Sequence, residues 1–224
     1  MAYATRCDFD IFAKIPVQNA VLSSRVTHYK PITPLDQSDL EFVTPGDAEK
    51  YVDLVVHLSV RGNLVAQDVS SLDPADSTTV VKNLLNSLQS VQRHPNGFSI
   101  SSSKDLYNYR VYLETPLSYG RAAAQTHLTS TFCYPDEGDF IAHNPSSDTF
   151  NRGYEARWKI MYNSAWIEMY ERVYPDLFNV PRLLPHGVQL QPKFTKSKTD
   201  LYVLSSKADT GAVFRFLEAT LHVR

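Results

Sequence analysis

Apolar and polar residues alternate along several stretches of the chain with the two-residue period of a strand. The clearest is 51–61, where Val52, Leu54, Val56, Leu58 and Val60 share one face while Asp53, His57, Ser59 and Arg61 share the other. One face belongs in a core and the other near water. Arg61-Gly62-Asn63 then offers turn chemistry. The C-terminus repeats the logic, with Leu217, Ala219, Leu221 and Val223 set against Glu218, Thr220, His222 and Arg224. Over 187–195, Val188, Leu190 and Phe194 alternate with Gln189, Gln191 and Lys193. Shorter runs predict strands at 9–15, 21–29, 40–43, 98–101, 165–172 and 201–205. This gives on the order of eight strands, enough for a two-sheet β-sandwich.

Helix is the exception. Asp105 is placed to cap a helix that carries Leu106, Tyr109, Tyr112 and Leu113 on one side and closes at Tyr119-Gly120. Pro116 should kink or shorten it. The alanine run predicts a second short helix over 122–128. Residues 80–88 read equally as helix or strand. Two polar stretches, 66–79 and 136–153, read as long exposed loops. Both lie between periodic segments, so 1–224 is expected to be one domain.

Composition narrows the class. The 224 residues are 43% hydrophobic and 21% charged, ordinary globular values that exclude a mainly disordered chain. At this size folding buries about 70% of the unfolded surface, so no disulfide or metal staple is needed. A net charge of -2 argues against a dedicated nucleic-acid binder. Cys7 and Cys133 form no CxxC pair and no disulfide framework. Arg6, Asp8 and Asp10 interrupt any signal-peptide core, and no run is long enough to span a membrane. The expectation is a soluble, intracellular chain.

No motif assigns chemistry. The histidines at 28, 57, 94, 127, 143, 186 and 222 show no HExxH-type spacing, and there is no GxSxG, GxGxxG or GxxxxGK. They read as surface or satisfied residues, with His57 and His222 on outward strand faces. Asp136, Glu137 and Asp139 could in principle hold a hard cation, but the EF-hand spacing is absent and the stretch reads as a solvated loop. Lys193, Lys196 and Lys198 read as a solubilising strand edge. No catalytic, cofactor-binding or metal-binding residue is assigned, and no cofactor is expected.

A collinear series of segments opens with LEFVTPGDAEKYVD at 40–53, Asn86-Ser87-Leu88, and SSSKDLYNYRVYLETPLSYG at 101–120. His127-Leu128-Thr129 and 132–138 follow, then Asp176-Leu177-Phe178-Asn179, Arg182-Leu183-Leu184, Gly187-Val188, Lys196-Ser197-Lys198 and EATLHVR at 218–224. In this order they resemble the capsid proteins of Polinton (Maverick) transposons and the related adintoviruses. The resemblance implies a mainly β viral jelly roll with short helices in its loops. It also implies a structural, non-enzymatic capsid role exercised by self-association, within a virion. The family carries two jelly rolls in tandem and forms trimeric capsomers with other capsid proteins; this chain resembles the first roll. Departures include Gln92, Arg93, His94 and Pro95 where the family has an apolar strand, with Pro116 and Pro192 elsewhere. These suggest a diverged endogenous copy.

Rival readings are a single-roll, penton-like minor capsid protein and a jelly-roll hydrolase with converging histidines and carboxylates. A third is a β-sandwich that binds carbohydrate or protein through Tyr134, Phe140 and Phe150.

Overall fold

The computed structural model describes residues 23–46, 52–53, 55–73, 79–80, 88–93, 106–137, 150–173, 183–205 and 211–224. The first strands are β1 (Thr27–Tyr29), β2 (Asp39–Glu41), β3 (Val52–Asp53), β4 (His57–Val65), β5 (Thr79–Val80) and β6 (Leu88–Arg93). Helices α1 (Tyr107–Ser118), α2 (Arg121–Ala124) and α3 (Arg152–Met161) follow. Strands β7 (Ile167–Arg172), β8 (Leu183–Leu184), β9 (Pro192–Lys196), β10 (Val203–Leu204) and β11 (Val213–Val223) complete the order.

Two antiparallel sheets dominate. One runs β1-β11-β4-β7 and the other β2-β9-β6, with short ladders β3-β8 and β5-β10 beside them. The first strand pairs with the last, and the second with a late one. That nesting is a long hairpin rolled into a sandwich, which is the jelly roll. A single apolar cluster joins the two sheets. Leu58 and Val60 of β4, Met169 of β7 and Leu221 of β11 supply one side; Leu40, Leu190 and Phe194 supply the other. Phe42 and Phe194 meet edge to face at 5.6 Å, a favoured aromatic geometry.

The alternation through Val56, Leu58 and Val60 continues where a turn was expected. Gly62 is buried inside β4, opposite Phe216 and Ile167. A Cβ there would sit 2.3 Å from the Arg215 carbonyl oxygen and 2.6 Å from the Phe214 ring. The glycine therefore marks close backbone approach inside a strand. The chain turns later, where Ala66 and Ser70 hydrogen-bond and Val69 takes φ 69°.

β11 is longer than the alternation indicates and changes face. A bulge between Phe216 and Glu218 hands the inward positions from Phe214 and Phe216 to Ala219, Leu221 and Val223. Leu217, expected inside, is the half-buried extra residue. This is the two-against-one count of a β-bulge.

The 98–101 and 9–15 strands lie outside the described residues; β1, β7 and β10 fall within their predicted ranges, and β2 overlaps the predicted 40–43 run from one residue earlier. Of the ambiguous 80–88 stretch, the ends join β5 and β6 and the middle lies outside the described residues. β6 forms despite Gln92 and Arg93, because its backbone pairs with β9 from Leu88 to Arg93. Pro192 does not confine β9 to an edge. It opens a central strand, and its carbonyl accepts from Phe42 N at 3.0 Å; the first residue of a strand tolerates a missing donor.

Helix α1 is turned the other way from expectation. Tyr107, Asn108, Val111 and Thr115 are buried, whereas Leu106, Tyr109, Tyr112 and Leu113 are exposed and Leu117 is 85% exposed. The polar residues are accommodated because Thr115 Oγ1 donates to the Val111 carbonyl at 2.8 Å and Asn108 Nδ2 donates to Ser197 Oγ at 3.3 Å. The residue preceding the first turn is Leu106, without a side-chain cap, and Asp105 lies outside the described residues. Pro116 sits in the last turn without ending the helix early.

The predicted 122–128 helix is two pieces, α2 and a 3-10 segment at His127–Thr131. The expected 136–153 loop ends in α3, which was not anticipated. Asn151 caps it by accepting from Tyr154 N at 3.0 Å, and Tyr154, Arg157 and Met161 turn inward at helical spacing. The arginine at the middle inward position hides that pattern in the sequence.

Candidate functional site

The outer face of the four-stranded sheet gathers polar side chains that the chain order keeps far apart. Because Leu58 and Val60 point inward, His57, Ser59 and Arg61 point outward. By the same parity β11 presents Glu218, Thr220 and His222, and β7 presents Glu168, Tyr170 and Arg172. β1 presents His28 between its inward neighbours Thr27 and Tyr29.

Register aligns them. His28 faces His222, His222 faces His57, and His57 faces Arg172, so one rung across all four strands reads His-His-His-Arg. The next outward rung is Thr220, Ser59 and Tyr170, and the one after it Glu218, Arg61 and Glu168. The His28 and His222 rings meet edge to face at 4.6 Å, and His222 meets Tyr170 at 5.2 Å. His57 stacks on Tyr170 at 5.1 Å with an interplanar angle of 10°. A polar cleft of about 240 Å³ opens over these rows.

Most of its charges are already engaged. Lys30 Nζ donates to Glu218 and, at 2.8 Å, to Thr220 Oγ1. Arg61 lies 4.7 Å over the Trp166 ring, a cation–π distance. Burial pushes the His57 imidazole below its ordinary pKa; Arg172 and His222 act in the same direction and Asp53 against it. Burial also lowers His222, helped by His28 and Lys30 and opposed by Glu168.

His222 Nε2 and Ser59 Oγ share a hydrogen bond of 2.9 Å. A hydroxyl–imidazole pair is the start of an acyl-transfer site, which also needs an orienting carboxylate and oxyanion donors. Among the described residues no carboxylate hydrogen-bonds His222. β4 lies between β11 and β7, so its main-chain donors are engaged in the two ladders. The rung can bind protons, but the hydrolase parts do not assemble around it. No group of three His, Cys, Asp or Glu side chains among the described residues is placed to hold a metal.

The other candidate residues are placed as follows. Asp136 is no solvated loop residue: its Oδ1 accepts from Arg157 Nη2 at 2.8 Å, with the Arg157 side chain fully buried. Glu137 pairs with Arg121, and Asp139 lies outside the described residues. The lysines are not a strand edge, since β9 is central. Lys193 bridges Asp39 at 2.9 Å and Glu41 at 3.3 Å on β2. Burial tends to raise the Asp39 carboxyl, but bonds from Lys193 and Thr195 outweigh it and hold it below the ordinary value. Lys196 donates to the Leu35 carbonyl and lies 4.6 Å over the Phe216 ring, while Lys198 precedes a 3-10 turn.

Cys133 is buried, and Cys7, His94 and His143 lie outside the described residues. His127 meets Tyr119 edge to face at 5.4 Å, and His186 sits in a turn. The loop aromatics form no platform among the described residues: Tyr134 packs against the core, Phe150 is half-buried, and Phe140 lies outside them. No helix among the described residues is long and apolar enough to cross a membrane.

The strand order and its two packed sheets define a jelly roll of the viral capsid type. Solved structures agree on the fold. A chain of the Sputnik virophage, from a cryo-electron-microscopy structure, superposes with TM-score 0.55 at 11% identity. The match covers 93% of this chain and 50% of that one. The crystal structure of the mavirus major capsid protein gives TM-score 0.50 at 12% identity, covering 96% of this chain and 50% of that protein. The chain therefore spans about half the length of these structures. No family model and no curated protein sequence matches it.

Proposed function

We propose that this chain is a non-enzymatic, capsid-type structural protein that acts by self-association. The carrying observation is the nested order β1-β11-β4-β7 over β2-β9-β6, in a fold that superposes on half of a virophage chain and half of a mavirus capsid protein. In finer form, the reading is the first jelly roll of a Polinton-like major capsid protein, or a diverged endogenous copy, with residues 1–224 as one domain. Its partners are further copies, as a trimer in the capsomer reading, and other capsid proteins in a virion. It does not grip nucleic acid or membrane directly; the near-neutral net charge of -2 supports this.

Light scattering with negative-stain imaging tests the reading. Trimers or shells are expected; a pentamer would favour the penton-like minor capsid reading, and a strict monomer at high concentration would sink self-association. A broad, non-cooperative melt would favour a diverged copy, and a cooperative one an intact domain.

A further inference from the structure

We propose that the His28–His222–His57 rung is an acid-operated latch: protonating it drives edge strand β1 off β11. β1 is only three residues long and pairs through three positions, with His28↔His222 at the centre. His222 in turn faces His57, which faces Arg172. Acid thus loads this line with imidazolium charge beside the Arg172 guanidinium, and His28 already opposes a charge on His222. Like charges directly opposite one another destabilise a strand pair.

The surrounding groups act in both directions. From β1, Lys30 adds a further cation, already held by Glu218 of β11. From β4, Arg61 faces Glu218 and Glu168. From β7, Glu168 favours a charged His222, while Arg172 opposes the charging of His57 and Tyr170 is a neutral ring between them. Asp53, ahead of β4, favours a charged His57, and its Oδ1 also accepts from Val55 N at 2.9 Å. His127, in the segment packed on β7, meets Tyr119.

The sign follows from linkage. His57 and His222 bind protons more weakly in the closed sheet than at the ordinary imidazole value of 6.5. His28 and Lys30, two of the groups that lower His222, leave with β1, so opening takes up a proton at His222. The closed form is at full strength above that value and weakens as pH falls below it, through the lowered values of the closed sheet. The latch stands on the register of this chain and does not depend on the capsid reading.

Hydrogen exchange read by mass spectrometry on the whole chain at pH 7.5 and pH 5.0, corrected for intrinsic rates, tests the latch. Peptides covering 27–29 and 221–223 should exchange about tenfold faster in acid, while the centre of β4 keeps its protection. His28→Gln/His222→Gln, with a far-UV spectrum matching wild type at pH 7.5, should abolish that difference. If the double variant does not fold, His28→Gln at its exposed position carries the comparison and should move the onset to lower pH. Unchanged protection in acid, or equal loss in the variant, overturns the latch. So does loss of protection over β4 at the same pH.

Discussion

Arg157→Met is the sharpest test of how the helical side of the molecule is held. The guanidinium is fully buried, 2.8 Å from an Asp136 carboxylate that keeps 11% side-chain exposure. An exposed pair at that distance is worth at most about 1 kcal/mol. Here water screens neither partner well, and for charge centres about 4 Å apart at an effective dielectric of about 20 the attraction is about 4 kcal/mol. Methionine preserves the apolar stem but takes the guanidinium from a nearly buried carboxylate, so the expected cost is about 3–5 kcal/mol. Asp136→Asn should cost a comparable amount. The double variant should lose clearly less than the sum, with a coupling of about 2–3 kcal/mol. Urea melts followed by circular dichroism read this directly. With a slope of about 2 kcal/mol/M, each single change should lower the midpoint by about 1.5–2.5 M. Single losses under about 1 kcal/mol, or strict additivity in the double variant, would refute the reasoning.

Other expectations follow from the packing. Gly62→Ala should cost about 3 kcal/mol, because its Cβ meets the Arg215 carbonyl at 2.3 Å and backbone cannot yield as a side chain can; thermal melting checks it. Phe194→Ala, at a fully buried position against Phe42, should cost about 3–5 kcal/mol in the same assay. Asn151→Ala should remove the α3 cap and cost about 1 kcal/mol, and Asn151→Ser should restore most of it. Leu117→Ser, at an 85% exposed position, should change stability by less than about 0.5 kcal/mol.

Much of the sandwich is legible in the sequence because strand faces have a period of two. Leu58 and Val60, Ile167 and Met169, and Leu190 and Phe194 all point where alternation places them. The errors arise where a second rule overrides periodicity. Gly62 resembles punctuation but allows close approach; the bulge at Leu217 reverses parity within one strand. Helix α1 shows the limit of apolar patterning. Its leucine and tyrosine stripe faces out, because Asn108 and Thr115 find hydrogen bonds inside. The histidine rung is invisible for a different reason. His57 and His222 are predictably outward, but only strand register sets His28, His222 and His57 side by side, and register across distant strands is not written in any local run.

The buried Arg157–Asp136 pair also bears on what the scaffold could carry. It ties the chain at 136 to α3, and Gly153 packs so closely that a Cβ would lie 2.4 Å from the Pro135 carbonyl oxygen. The two flanks of 138–149 are therefore pinned beside each other by contacts outside that stretch. Lengthening the chain between them closes a larger ring on a fixed base, at about 0.6 kcal/mol per doubling. A change of length there acts on that fixed base and is expected to leave the ladders of both sheets as they are.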